Sequence, residues 1–121
     1  MLVQLLFSIF IKIIKTKQIM AKKTFKDTDG TSFQDVVITT SVANLTKIFG
    51  EPDNNNTGED KVNFVWDMET DEGNVFTIYD WKVGRPLDLD EPVEWHIGAR
   101  SRSIASDASY EILRELGNLF D

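Results

Sequence analysis

Three segments between Lys61 and Ala99 alternate with a period that strands satisfy and helices do not. From Lys61 to Glu69, Val62, Phe64, Trp66 and Met68 share one side, and Asn63, Val65, Asp67 and Glu69 share the other. That pattern predicts a half-buried strand. From Asn74 to Lys82, apolar or aromatic residues stand on both sides, Val75, Thr77, Tyr79 and Trp81 against Phe76 and Ile78. A strand apolar on both faces is expected at the centre of a sheet. Between the two, Thr70-Asp71-Glu72-Gly73 reads as a hairpin loop with Gly73 where positive φ is tolerated. Val93 to Ala99 predicts a third strand, with Val93, Trp95, Ile97 and Ala99 opposed to Glu94, His96 and Gly98. Residues 83–92, with two prolines, form the longer connection before it.

A sheet with an apolar face needs a cover. Upstream, Phe33 to Thr40 contains the β-branched run Val36-Val37-Ile38 and predicts a further strand. Ser41 then stands where an N-cap is wanted, and Val42, Leu45, Ile48 and Phe49 make one helical face, stopped by Gly50 and Pro52. The spacing predicts a helix over 42–49. Residues 53–60 (DNNNTGED) read as a loop. After residues 100–105, Ser106 or Asp107 is a candidate cap for a C-terminal helix. Ala108, Ile112, Leu116 and Leu119 form its stripe, Tyr110 and Leu113 flank it, and Gly117 ends or frays it. The order β-α-β-β-β-α makes this an α+β chain, a three- or four-stranded antiparallel sheet with helices on one face and the other face at least partly open.

Residues 1–19 do not share the composition of the rest. The segment MLVQLLFSIFIKIIKTKQI has three lysines and no acid, so the remaining 102 residues carry all 20 acids against 10 basic residues, a net charge of −10. The apolar stretch is short for a membrane span and is broken by Gln4, Ser8 and Lys12. Its lysines follow the apolar run, the reverse of a secretory signal. Two readings stand: a start-site artefact, with translation opening at Met20, or an amphipathic membrane-surface anchor with Gln4, Ser8, Lys12 and Lys15 on its polar stripe. Residues 20–121 are read as a single α+β domain, and a chain beginning at Met20 is expected to fold as well as the full one.

The 121 residues contain no cysteine and one histidine, at a formal net charge of −7. Disulfide frameworks, thiolate metal sites and thiol catalysis are excluded. A chain this acidic lacks the basic stripe of a phosphate-backbone binder, so direct nucleic-acid binding is not expected. Asp88, Asp90 and Glu91 superficially suggest a calcium loop, but the ligand ladder and its glycine are missing. No P-loop, dinucleotide fingerprint or nucleophile elbow occurs. His96, beside Glu94, has no recognisable nucleophile to serve and reads as a strand residue. No catalytic residue, metal or cofactor is expected.

The densest constellation of side chains with recognition chemistry lies on the meander and its exit. Tyr79, Trp81, Lys82, His96 and Arg100 are the candidate binding residues, combining amphipathic aromatics with two cations. Lys82 and Arg100 would act as a basic clamp beside a stacking surface, which suits a nucleotide-like anion.

Three segments, Ile48-Phe49-Gly50-Glu51-Pro52, Phe76-Thr77-Ile78-Tyr79-Asp80-Trp81-Lys82 and Glu94-Trp95-His96-Ile97-Gly98, resemble small uncharacterised proteins of tailed bacteriophages in order and spacing. The resemblance covers roughly residues 36–116 and brings no established activity. It implies a viral accessory or host-takeover factor in the host cytoplasm, engaging a host protein or a small anionic ligand. Membrane contact is expected only through residues 1–19. An alternative from charge is an acidic decoy that occupies a nucleic-acid-binding protein, through clusters at 51–60, 67–72 and 88–94.

Overall fold

The computed structural model describes residues 21–120; the expectations for residues 1–19 lie outside them. The elements in chain order are β1 (Lys22–Lys23), β2 (Ser32–Thr40), α1 (Val42–Phe49), β3 (Asp53–Asn54), β4 (Phe64–Glu69), β5 (Val75–Tyr79), β6 (Val93–Ala99) and α2 (Arg102–Phe120). The class is α+β. The sheet is antiparallel and six-stranded, in the order β1-β4-β5-β6-β2, with β3 also paired to β4. The four anticipated strands are present. The two additional ones are two-residue pairings along the outer edge of β4, Lys22–Lys23 opposite Met68 and Glu69, and Asp53–Asn54 opposite Phe64 and Val65. Two residues carry no readable period, so the second of them looks like a loop in sequence.

Register fixes which side chains share a face. Trp66 pairs with Ile78 and Ile78 with Ile97, while Ile38 pairs with Trp95. These residues, with Phe64, Met68 and Phe76, form the buried face against which Val42, Leu45 and Phe49 of α1 and Ala105, Ala108, Ile112 and Leu116 of α2 pack. The central tryptophans meet edge to face, with centroids 5.4 Å apart. Each also spends its indole N–H on an end of α1. Trp95 Nε1 donates to Thr40 O at 2.9 Å, just before the helix, and Trp66 Nε1 donates to Gly50 O at 2.8 Å, just after it. Ser41 caps α1 by accepting from the Asn44 amide at 3.1 Å.

The long helix begins earlier and ends later than its pattern suggests. Ser101, not Ser106 or Asp107, is the cap, its Oγ accepting from the Ile104 amide at 3.2 Å. The earlier start buries Ala105 against the sheet. Gly117 does not end the helix; it lies within it on the solvent side, with no neighbour within 4 Å of where a Cβ would be.

Candidate functional site

The face opposite the helices carries Val65, Asp67, Thr77, Tyr79, Glu94, His96 and Gly98, with Phe33 and Val37 from β2. Register sets this, since Tyr79 pairs with Val65 and His96, and His96 with Val37. One end of that face is occupied. The chain between β1 and β2 crosses the sheet there, tied by Lys26 Nζ to Gly73 O at 3.0 Å and by Arg100 to the Asp27 and Asp29 carbonyls at 2.8 and 2.9 Å. Val75 and Thr77 are buried at this end. The other end stays open.

At the open end four rings converge. Phe33 stacks on His96 with centroids 4.0 Å apart and planes 19° apart. Tyr79 stands edge-on to both His96, at 5.5 Å, and Trp81, at 6.1 Å. Trp81 and His96 lie 29° from parallel at 6.5 Å. Each position has a local cause. Gly98 leaves room for the Tyr79 ring; a Cβ there would lie 3.2 Å from Tyr79 Cε1 and overlap Thr77 Oγ1. Phe33 reaches His96 because the register of β2 against β6 shifts between Phe33 and Val37, where Asp35 has φ +61°. Such a bulge re-aims side chains. Burial pushes the Tyr79 phenol up from its ordinary value.

Two lysines flank the exposed Trp81. Lys82 Nζ is 5.5 Å from the ring centroid and Lys61 Nζ is 5.9 Å from it, within cation–π range. Their placement comes from a buried latch. Asp80 is fully buried and accepts from the Asn63 amide at 2.9 Å, the Phe64 amide at 2.8 Å and Asn63 Nδ2 at 3.0 Å. The Lys82 amide donates to Lys61 O at 2.8 Å. Lys82 sits at φ +52°, the left-handed region, where a residue other than glycine persists only if its surroundings hold it. Neither lysine has a carboxylate within 4.0 Å among the described residues; the ion pairs there use Lys22, Lys26 and Arg85. Trp81, His96, Glu94, Arg85 and Glu91 border a cavity of about 240 Å³.

Of the anticipated binding residues, the structure brings together Tyr79, Trp81, Lys82 and His96. Arg100 does not join them. It follows the last residue of β6, four positions on from His96 at the occupied end, and its guanidinium is spent on backbone carbonyls. Lys61 takes the place expected of it, and Phe33 completes the ring cluster. Neither was legible: Lys61 reads as the first residue of a strand that in fact begins at Phe64, and the bulge obscures the face of Phe33.

Elsewhere, Arg85 and Glu91 pair within the long connection, Arg85 Nη1 lying 3.0 Å from Glu91 Oε2, and this bond with the Asp88 amide holds the Glu91 carboxyl down at about 2. Asp67 is pushed up by burial and by the neighbouring Asp53 carboxylate. Among the described residues no group of three or more His, Asp or Glu side chains is arranged to hold a metal ion, and no helix is long and apolar enough to cross a membrane. No family model matches the chain, and no curated protein or solved structure matches it.

Proposed function

We propose that this chain is a non-enzymatic binding protein whose working surface is the open end of the sheet. Of a host protein and a small anionic ligand, the geometry favours the ligand. The observation that carries this is the pair of lysines that have no carboxylate partner among the described residues, beside an exposed tryptophan in a chain otherwise dominated by acids. An exposed indole supplies a stacking surface and the ammonium groups supply charge. The resemblance to tailed-phage proteins would set this binding in a host cell, as the work of an accessory or takeover factor.

The acidic-decoy reading takes second place, because several of its acids are already engaged. Glu91 is bound by Arg85, and Glu69 by Lys22, Lys26 and Thr24. Thermal melting against naphthalene sulfonate and against neutral naphthalene separates the two. A ligand at 100 times its Kd adds about 2.7 kcal/mol of stability. The sulfonate is expected to raise the melting temperature of the wild type but not of Trp81→Ala, and the neutral ring to do neither. No shift with the anion, or a shift that survives Trp81→Ala, contradicts the proposal.

A further inference from the structure

We infer that the Trp81 corner is a nucleoside phosphate site, with the base between Trp81 and His96 and the phosphate on Lys61 and Lys82. This rests on the reading of the open face as the working surface and names the chemical class it takes.

The ring spacing is the first observation. Phe33 and His96 are in stacking contact at 4.0 Å, whereas Trp81 and His96, also near parallel, stand 6.5 Å apart. At that centroid separation, with planes 29° apart, Trp81 and His96 are not in contact stacking with each other, which leaves ring surface on both for a planar ligand. Phe33 braces the His96 wall, and Tyr79 stands across both rings at 63° and 81°. The cavity bordered by Trp81 and His96, about 240 Å³, falls below the ~300 Å³ at which drug-sized pockets begin. A base is small enough for a cavity of that size, and a sugar and phosphate attached to it would lie outside.

Charge sets the direction. Arg85 and Glu91, which both border the cavity, are paired with each other, so the charge left to act there is that of Glu94, which disfavours a phosphate within it. Lys61 and Lys82 stand beside Trp81, do not line the cavity and have no carboxylate within 4.0 Å among the described residues. With each ammonium group within 6 Å of the Trp81 centroid, a dianion held beside that ring lies within electrostatic reach of both. Glu94 also favours a base over a hydrocarbon ring. Glu91 is occupied by Arg85, so Glu94 is the acceptor left for the N–H donors along a base edge. The strained backbone at Lys82 and the buried Asp80 latch hold the phosphate end in place before any ligand arrives, which reduces the ordering cost of binding.

The test reads Trp81 alone. Trp66 and Trp95 are 1% and 0% exposed and Trp81 is 42% exposed, so ligand-dependent quenching of indole fluorescence reports this ring. GMP, AMP, UMP, guanosine, pyrophosphate and naphthalene sulfonate are titrated into the full chain and into the double variant Lys61→Ala, Lys82→Ala. Expected are saturable quenching by at least one nucleoside monophosphate, guanosine binding at least about tenfold more weakly than GMP, and pyrophosphate competing without quenching. The lysine variant should lose about tenfold in nucleotide affinity at an unchanged melting temperature. Absence of quenching by every nucleotide, or equal binding of GMP and guanosine, overturns the nucleotide assignment; if naphthalene sulfonate still quenches, the open-face reading survives. Failure of both ligand types overturns both.

Discussion

Gly98 and Asp80 show how single residues build the site without touching a ligand. Gly98 lets the Tyr79 ring lie over the strand, and any side chain there meets Thr77 Oγ1 and the ring together. Gly98→Ala is therefore expected to destabilise by about 1–3 kcal/mol, as overpacking does, and to displace Tyr79 from His96. Chemical denaturation reads the first effect and the Tyr79 ring resonances the second; an unchanged midpoint with unmoved ring signals would contradict the account. Asp80 is buried and accepts three hydrogen bonds from Asn63 and Phe64. Asp80→Ala orphans buried donors, each worth about 1–3 kcal/mol, so the loss should reach about 3–5 kcal/mol. It should also weaken anion binding, because the Asp80 bonds hold residues 61–64 against 80–82. A denaturation midpoint within error of wild type would show that the latch carries no load.

At the scale of elements, two groups of carboxylates set opposite responses to acid. Glu69 receives a hydrogen bond from Thr24 at 2.7 Å and faces Lys26 at 3.3 Å and Lys22 at 3.5 Å. The Thr24 hydroxyl first, then Lys26 and Lys22, hold its carboxyl below the ordinary value of 4.5. A lowered acid contributes stability that is complete above 4.5 and is lost as pH falls through the lowered value. Glu111 and Glu115 on α2 are raised from 4.5 by burial, and Glu115 Oε1 has no hydrogen-bond partner. Their contribution is present below 4.5 and is lost as pH rises through the raised values. Glu115→Gln is thus expected to melt above the wild type near pH 7, with the advantage disappearing near pH 4. Amide exchange at Lys22–Thr24 should accelerate beyond its intrinsic pH dependence only as pH falls below 4.5 and through the lowered Glu69 value. A Glu115→Gln advantage that persists in acid, or a β1 indifferent to it, would contradict these assignments.

Elements were legible where a period and a cap agree. α1 carries Ser41, a clean apolar stripe and Gly50, and it begins and ends where those signals place it; β6 likewise spans its alternating run. β1 and β3 were not legible, since two-residue pairings at an edge depend on the partner strand and not on their own pattern. The start of α2 was obscured by serines at 101, 103 and 106, any of which can cap. Within the site, alternation put His96 on the face away from the helices and left open whether Tyr79 and Trp81 or Asp80 and Lys82 joined it there. It could not say that the chain crossing the sheet near Asp27 and Asp29 would claim Arg100, because that contact joins residues about seventy positions apart.

At the scale of the molecule, one sheet face is sealed by two helices and the other is half covered. Trp66 and Trp95 hold the sealed side, while Phe33, Val37 and Trp81 are 39%, 41% and 42% exposed on the other. The helix α2 presents a rival exposed surface, with Tyr110, Leu113 and Phe120 turned to solvent. A two-dimensional ¹H–¹⁵N titration of the full chain with naphthalene sulfonate decides whether the open sheet face is where this protein binds. The Trp81 indole N–H and the amides of Lys61, Lys82 and His96 are expected to shift together and saturate, while the signals of α2 stay in place. Shifts confined to Tyr110, Leu113 and Phe120, with Trp81 unmoved, would contradict this expectation.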